Sequence, residues 1–191
     1  MDYVLIVGPA AAGKATVAAE VARLTGYRLV LNTLTSEMLL GVFARSEAPF
    51  GPLHVHFQHR IVEEAARADI SLVSTVAWAF NSEFDWTEMR KRLGYVRAHG
   101  GRVMFAELSA PIEVRLERNH HPERALAKPR QASTLSDEIM LDMEKHRFLS
   151  EPGELDEFGP SLRIDTTGAT PGQAAARIVA EFGLPKVESR P

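Results

Sequence analysis

A chain of 191 residues, 45 % hydrophobic and 25 % charged, is long enough for one domain with one substantial core. Its formal net charge of −3 and pI near 6.2 argue against a general nucleic-acid binder, which would carry a basic surface. It contains no cysteine, which excludes disulfides, thiolate chemistry and Cys-ligated zinc. The first apolar run, "YVLIV" (3–7) behind Asp2, is too short for a signal-peptide core or a membrane span, so a cytoplasmic protein without a membrane anchor is expected. Four further runs read as strands: "YRLVL" (27–31), "ISLVSTVAW" (70–78), "RVMFAEL" (102–108) and "LRID" (162–165). The first four of the five are almost continuously hydrophobic, as strands buried on both faces of a parallel sheet are.

Helical patterns lie between them. In the first, Val17, Val21 and Leu24 recur at i, i+4 and i+7, with Glu20 and Arg23 on the other face. Further helices are predicted over 36–45, 53–68, 83–99, 112–118, 134–149 and 171–182. Gly26, Gly100, Gly101 and Gly183 fall just past helix ends, where left-handed caps are expected. The acidic, turn-rich stretch 150–160 reads as a loop inside the domain, because a strand follows it. Alternating strands and helices over this length predict a single three-layer α/β domain spanning 1–191.

The run "GPAAAGKAT" carries the most specific chemistry. Gly8, Pro9, Ala10, Ala11, Ala12, Gly13 and Lys14 follow a buried strand and open an amphipathic helix, the context a phosphate-binding loop needs. Backbone N–H groups of such a loop point at phosphates, the helix dipole adds partial positive charge, and Lys14 neutralises the β- and γ-phosphates. Ala15 follows the lysine, so no hydroxyl stands where Mg²⁺ is commonly held, and Thr16 comes one residue later. This "GKxT" form resembles adenylate-kinase-like enzymes, which implies a threonine near the α-phosphate and a metal held largely through water. Ala11 replaces a glycine common in those loops.

A second run is basic. From residue 118 onward Arg118, Arg124, Lys128 and Arg130 face a single acid, Glu123. An exposed loop and a lid (118–134) closing its arginines over a triphosphate are the two readings. The position after the fourth strand and a short helix favours the lid.

Together, the loop, this run and "DTTGATP" after the last strand resemble the P-loop small-molecule kinases of the shikimate and gluconate kinase group. The run "RN…ER…KP", with "VAWAF" and "FAEL" before it, is similar to a bacterial group labelled AAA-family ATPase or shikimate-kinase-like. The resemblance implies a five-stranded parallel sheet of order 2-3-1-4-5 with helices on both faces and a mobile lid, and ATP with Mg²⁺ as cofactors. It places Arg118 against the adenine. It brings Arg124, Lys128 and Arg130 to the phosphates, and Asp165, Thr166, Thr167, Gly168 and Ala169 beside the base.

The acceptor pocket is less specific. Shikimate kinases carry an Asp after the second strand and glycines after the third, whereas this chain has "LNTLTSE" and "STVAWAF" there. By position the pocket would draw on Asn32, Thr33, Thr35, Glu37, Arg60, Trp78, Phe80 and Asn81. Transfer to a hydroxyl requires a proton acceptor, for which Glu37 comes first and Asp85 and Glu107 second. Glu37 reads equally well as a favourable anion in a helix's first turn. Trp78 and Phe80 read as core residues or as substrate platforms at a strand's carboxyl end. Met140, Met143 and Ile139 read as helix packing. In "HVHFQH", His56 and His59 share a helical face while His54 and His56 point about 200° apart, so a metal site lacks a third ligand. Three functions stand open: a small-molecule kinase, a nucleotide-binding regulatory module without transfer chemistry, and a polynucleotide kinase. For the first, a small-molecule acceptor and a monomer or homodimer are expected, without nucleic acid.

Overall fold

The computed structural model describes residues 1–122 and 136–187. Five strands, β1 (Asp2–Val7), β2 (Arg28–Leu31), β3 (Leu72–Val76), β4 (Arg102–Ser109) and β5 (Ser161–Asp165), form one parallel sheet in the order β2-β3-β1-β4-β5. That is the order expected of the family resemblance. Seven helices are described: α1 (Lys14–Thr25), α2 (Asn32–Leu40), α3 (Phe50–Arg67), α4 (Glu83–Ala98), α5 (Ile112–Asn119), α6 (Asp137–Met143) and α7 (Pro171–Glu181).

Alternation along β1 sends its side chains to two cores. Val4 and Ile6 pack with α1 and α7 on one face; Tyr3, Leu5 and Val7 pack with α3 and α4 on the other. All five are fully buried, and each of the four aliphatic side chains stabilises the fold by about 1.5–3 kcal/mol. The second core is aromatic. Trp78 stacks on Phe80 at 4.3 Å between centroids and meets Trp86 edge-on at 4.6 Å, while Phe158 reaches Trp86 at 5.9 Å. Leu155 and Phe158 thereby anchor the acidic stretch 150–160 to the sheet as an ordered loop.

The strand read over 70–78 is limited to Leu72–Val76, and the helix read over 53–68 starts at Phe50; four further departures have a clear physical reason. β2 is an edge strand with half-buried residues, not a strand covered on both faces. α2 begins at Asn32, directly after β2, because the hydroxyls of Thr35 and Ser36 bond back to the Asn32 carbonyl and stabilise a first turn there; it ends before Gly41. Within the described residues, the helix expected over 134–149 is limited to Asp137–Met143. Beyond it the backbone turns to pair with the β3–α4 connection, where Phe80 N–H donates to the Arg147 carbonyl at 2.7 Å. Gly26, Gly100 and Gly183 have the expected left-handed φ, but Gly101 does not; it is needed because a Cβ there would lie 2.6 Å from Val96 Cγ1. Among the described residues no helix is long and apolar enough to cross a membrane.

Candidate nucleotide and acceptor site

β1 delivers the chain to the carboxyl edge of the sheet, and six residues turn it into α1. Gly8 has φ 138°, and a Cβ on it would lie 2.2 Å from the Leu108 carbonyl oxygen of β4. No other residue fits between these backbones. Gly13, at φ 89°, is the left-handed N-cap of α1. That helix start has no side-chain cap and no acid in its first turn, so its N–H groups and dipole face the loop uncompensated from within the helix. Lys14 Nζ folds over the loop and donates to the carbonyls of Gly8 and Pro9, each at 2.6 Å. Ala11 sits at φ 59°, a conformation that costs an alanine roughly 1–2 kcal/mol. The loop keeps its shape despite that strain. It fits a polyphosphate: a positive helix end and a lysine converge on one concave turn. Thr16 Oγ1 donates to the Gly13 carbonyl at 2.8 Å at the exposed start of α1.

The loop after β5 closes against it. Thr166 is buried, and its hydroxyl lies 3.2 Å from the Ala12 carbonyl and 3.0 Å from that of Ser109. Arg118 donates to the Thr166 carbonyl at 2.6 Å and to its hydroxyl at 3.1 Å, so α5 and this loop form one unit beside the phosphate turn. Asp165 accepts from the N–H and hydroxyl of Thr167, bonds that hold its carboxyl below the usual carboxylate range. Thr167 and Gly168 are exposed and Ala169 half-buried along the rim. Arg124, Lys128 and Arg130 lie outside the described residues.

Sequence reasoning missed Arg115. It is buried on α5 and donates from Nε to the Ala110 carbonyl at 3.0 Å. A second group lies 3.4 Å from the Ala10 carbonyl in the phosphate loop, and a third pairs with Glu144 at 2.6 Å. Its signal was a cation beside Ile112 and Leu116 on the helix face that turns inward.

The acceptor side is rearranged relative to expectation. Trp78 is 0 % exposed and Phe80 3 %, so both are core residues here and neither offers a face to a substrate. Asn81 is spent on the backbone of 145–147, donating to the Lys145 carbonyl and accepting from Arg147 N–H. Arg60 lies on the outer face of α3, paired with Glu63 and Glu64. Of the secondary base candidates, Asp85 accepts from Ala79 N–H at 2.8 Å and so braces the turn into α4. Glu107, 2 % exposed, accepts from Ser150 N–H, Ser150 Oγ and Arg163. Both are engaged in structural bonds.

Asn32, Thr33, Thr35 and Glu37 do lie together, in the first turns of α2. Asn32 N–H donates to Thr75 Oγ1 at the end of β3, which ties this helix start to the sheet edge. Thr35 is buried. Its hydroxyl lies 3.1 Å from the Asn32 carbonyl and 3.0 Å from His54 Nδ1, and accepts from Gln58 Nε2 at 2.6 Å. Burial, with Arg92 and Arg45 nearby, pushes the pKa of His54 down to about 4, so it is neutral at neutral pH.

No protein-family model matches the sequence, and no curated protein matches it. Solved structures do match its fold. A sugar kinase from Janibacter sp. HTCC2649 superimposes with a TM-score of 0.62 at 16 % identity, covering 96 % of this chain and 95 % of its own. A gluconokinase from Sinorhizobium meliloti 1021 gives 0.57 at 16 % identity over 95 % and 93 %. A shikimate kinase from Acinetobacter baumannii, in complex with shikimate, gives 0.55 at 18 % identity over 95 % and 92 %. With a parallel sheet in the order β2-β3-β1-β4-β5 and a glycine-bounded turn between β1 and α1, the chain has the fold of the P-loop small-molecule kinases.

Proposed function

We propose that the chain is an ATP-dependent phosphotransferase that moves the γ-phosphoryl group to a hydroxyl, or a phosphate, of a small molecule. The observation that carries this reading is the turn between β1 and α1, where Gly8, Gly13 and Lys14 shape a cradle for phosphates at a helix start that carries no acid of its own. In this reading Gly8, Pro9, Ala10, Ala11, Ala12, Gly13 and Ala15 supply the backbone cradle. Lys14 exchanges the carbonyls of Gly8 and Pro9 for β- and γ-phosphate oxygens. Thr16 stands near the α-phosphate. Arg118 and the loop Asp165, Thr166, Thr167, Gly168 and Ala169 border the base, and Arg124, Lys128 and Arg130 neutralise the transferring group. Mg²⁺ would neutralise phosphate charge when bound with ATP, and with Ala15 in place of a hydroxyl it would be held through Thr16 and water. Glu37 takes the proton of the acceptor hydroxyl as the bond to phosphorus forms. The protein would act in the cytoplasm as a monomer or homodimer, without nucleic acid.

A nucleotide-binding module without transfer is the second reading. It is favoured by the structural engagement of Asp85 and Glu107, which leaves neither to orient a metal or a nucleophile.

The deciding experiment is ADP release from ATP-Mg²⁺ against pooled metabolites and antibiotics, with wild type and Lys14→Ala in parallel. A pool that raises release at least tenfold in the wild type alone establishes transfer. ATP binding without release above the variant's rate under any pool would turn the assignment to the regulatory module.

A further inference from the structure

Among the described residues, six buried side-chain polar atoms lack a hydrogen-bond partner: Tyr3 Oη and Trp78 Nε1 lie in the aromatic core, and the other four belong to Gln58, His59 and Arg92 of α3 and α4, beside α2. Arg92 of α4 is 6 % exposed, yet its Nε and Nη1 are buried with no hydrogen-bond partner. Gln58 of α3, 1 % exposed, uses its amide nitrogen on Thr35 and leaves Oε1 without a partner. His59, 8 % exposed, has Nε2 3.4 Å from Glu88 Oε2 but without hydrogen-bond geometry.

These groups are neighbours. The Arg92 charge acts on both His54 and His59, and with burial holds both imidazoles below their usual pKa. His54 and Gln58 share Thr35 Oγ1. The charged groups facing the cluster are Glu88, Lys91 and Arg92 of α4, with Arg45 beyond α2. Enclosing an arginine without satisfying its donors is costly, and folded chains pair or hydrogen-bond such a cation.

The location matters as much as the cost. Side chains on a helix lean toward its N-terminus, and α4 starts at the carboxyl edge of the sheet, after β3. Arg92 is the tenth residue of α4, and its charge reaches His54, whose ring lies 3.0 Å from the Thr35 hydroxyl. Thr35, in the first turn of α2 after β2, lies at the same edge. In open α/β sheets ligands are taken there.

We propose that Arg92 is the anion-reading residue of the acceptor pocket, and that the acceptor is a hydroxylated small molecule bearing a carboxylate or phosphate. The inference rests on the kinase reading for the word acceptor, but the site itself does not. The donors of Arg92 require an oxyanion, while Gln58 Oε1 requires a donor such as a hydroxyl; a molecule carrying both groups satisfies both. A neutral polyol would satisfy Gln58 and leave the guanidinium buried and unpaired.

The test is thermal unfolding with saturating ADP-Mg²⁺ filling the phosphate loop. Gluconate and glycerol 3-phosphate are compared with sorbitol and glycerol, on wild type, Arg92→Met and Arg92→Lys. The expected result is that at least one anion raises the wild-type midpoint by several degrees, its neutral counterpart does not, and Arg92→Met loses the shift. Arg92→Lys keeps the charge without the planar fork and retains only part of it. ADP-Mg²⁺ alone should shift all three proteins equally, which shows that the variants are folded. The proposal is overturned if no anion shifts the wild type, if polyols shift it as much, or if Arg92→Met responds like the wild type. An Arg92-dependent anion shift with no phosphorylated product would remove the kinase reading and leave the anion site. Transfer to a neutral acceptor, unchanged in Arg92→Met, would do the reverse.

Discussion

Gly8 and Ala11 carry opposite lessons at the scale of single residues. Gly8 is irreplaceable on two grounds at once: its φ of 138° and the 2.2 Å that would separate a new Cβ from the Leu108 carbonyl. That neighbour is backbone in the centre of the sheet and cannot swing aside. Gly8→Ala should therefore cost about 2–4 kcal/mol of stability and weaken ADP binding, since the turn must open to admit the methyl. Ala11 is the inverse case, a side chain held at φ 59° where glycine would rest without strain. Ala11→Gly relieves roughly 1–2 kcal/mol of strain and loses about 0.5–1 kcal/mol to unfolded-chain entropy, for a net gain of about 0–1.5 kcal/mol. Denaturation midpoints of the two variants, with and without ADP, check both signs. An Ala11→Gly protein less stable than wild type would mean that the alanine methyl packs in the folded loop.

At the scale of elements, the phosphate turn is braced from α5 and α6 through one side chain. Arg115 joins the Ala110 and Ala10 carbonyls to Glu144, whose carboxylate is 39 % exposed in its side chain. Because Glu144 is partly in water, the pair is worth less than a fully buried one. Glu144→Gln should cost about 1 kcal/mol, and Arg115→Met, which strands the carboxylate and two carbonyls, about 2 kcal/mol. If Arg115 positions the loop, Arg115→Met also raises KM for ATP severalfold and leaves the affinity for the acceptor unchanged. Equal changes in both would assign it to stability alone.

The same element shows what was legible in the sequence. The phosphate turn could be read because its glycines, lysine and flanking hydrophobic periodicity are local, and so could the strand order once the family resemblance was drawn. Arg115 could not, since its three partners are brought to it from Ala10, Ala110 and Glu144 by the tertiary fold. Trp78 and Phe80 sit near a strand's carboxyl end, as ligand-facing residues do, yet Trp86 from the start of α4 and Phe105 from β4 pack on them, with Phe158 behind Trp86. The start of α2 was misplaced for a subtler reason. Asn, Thr and Ser are weak helix formers, but here their hydroxyls bond back to Asn32 and a tie to Thr75 sets the helix start.

At the scale of the whole molecule, the sheet is shared by both cores, so a proton that binds only the unfolded chain lowers the stability of all three layers together. His54 is such a site. Burial, then Arg92 and Arg45, hold its folded pKa at about 4, against about 6.5 in an unfolded chain. Above the unfolded value the imidazole is neutral in both states and titration contributes nothing. Between the two values the unfolded chain takes up a proton that the folded chain refuses, so stability falls as pH falls, and below the lower value the loss is complete. Because the ring is only partly buried, the loss is discounted to about 2 kcal/mol, or roughly 4–8 °C in midpoint for a domain of this size. The carboxyls of Asp2, Glu154 and Asp165 are held below their usual range, so their stabilising contributions fade mainly below about pH 4.5, which leaves a window for histidine alone. His59 titrates in the same direction, held down by burial, Arg92 and Lys91 against the opposing charge of Glu88. The clean comparison is therefore a difference between proteins that keep His59. His54→Asn can offer an amide N–H to Thr35 where Nδ1 stood, while removing the titrating group. Its midpoint should fall less steeply than the wild type's between pH 7 and 4.5. Parallel slopes would mean that the imidazole reaches water and that the cluster around Thr35 opens more readily than its bonds suggest.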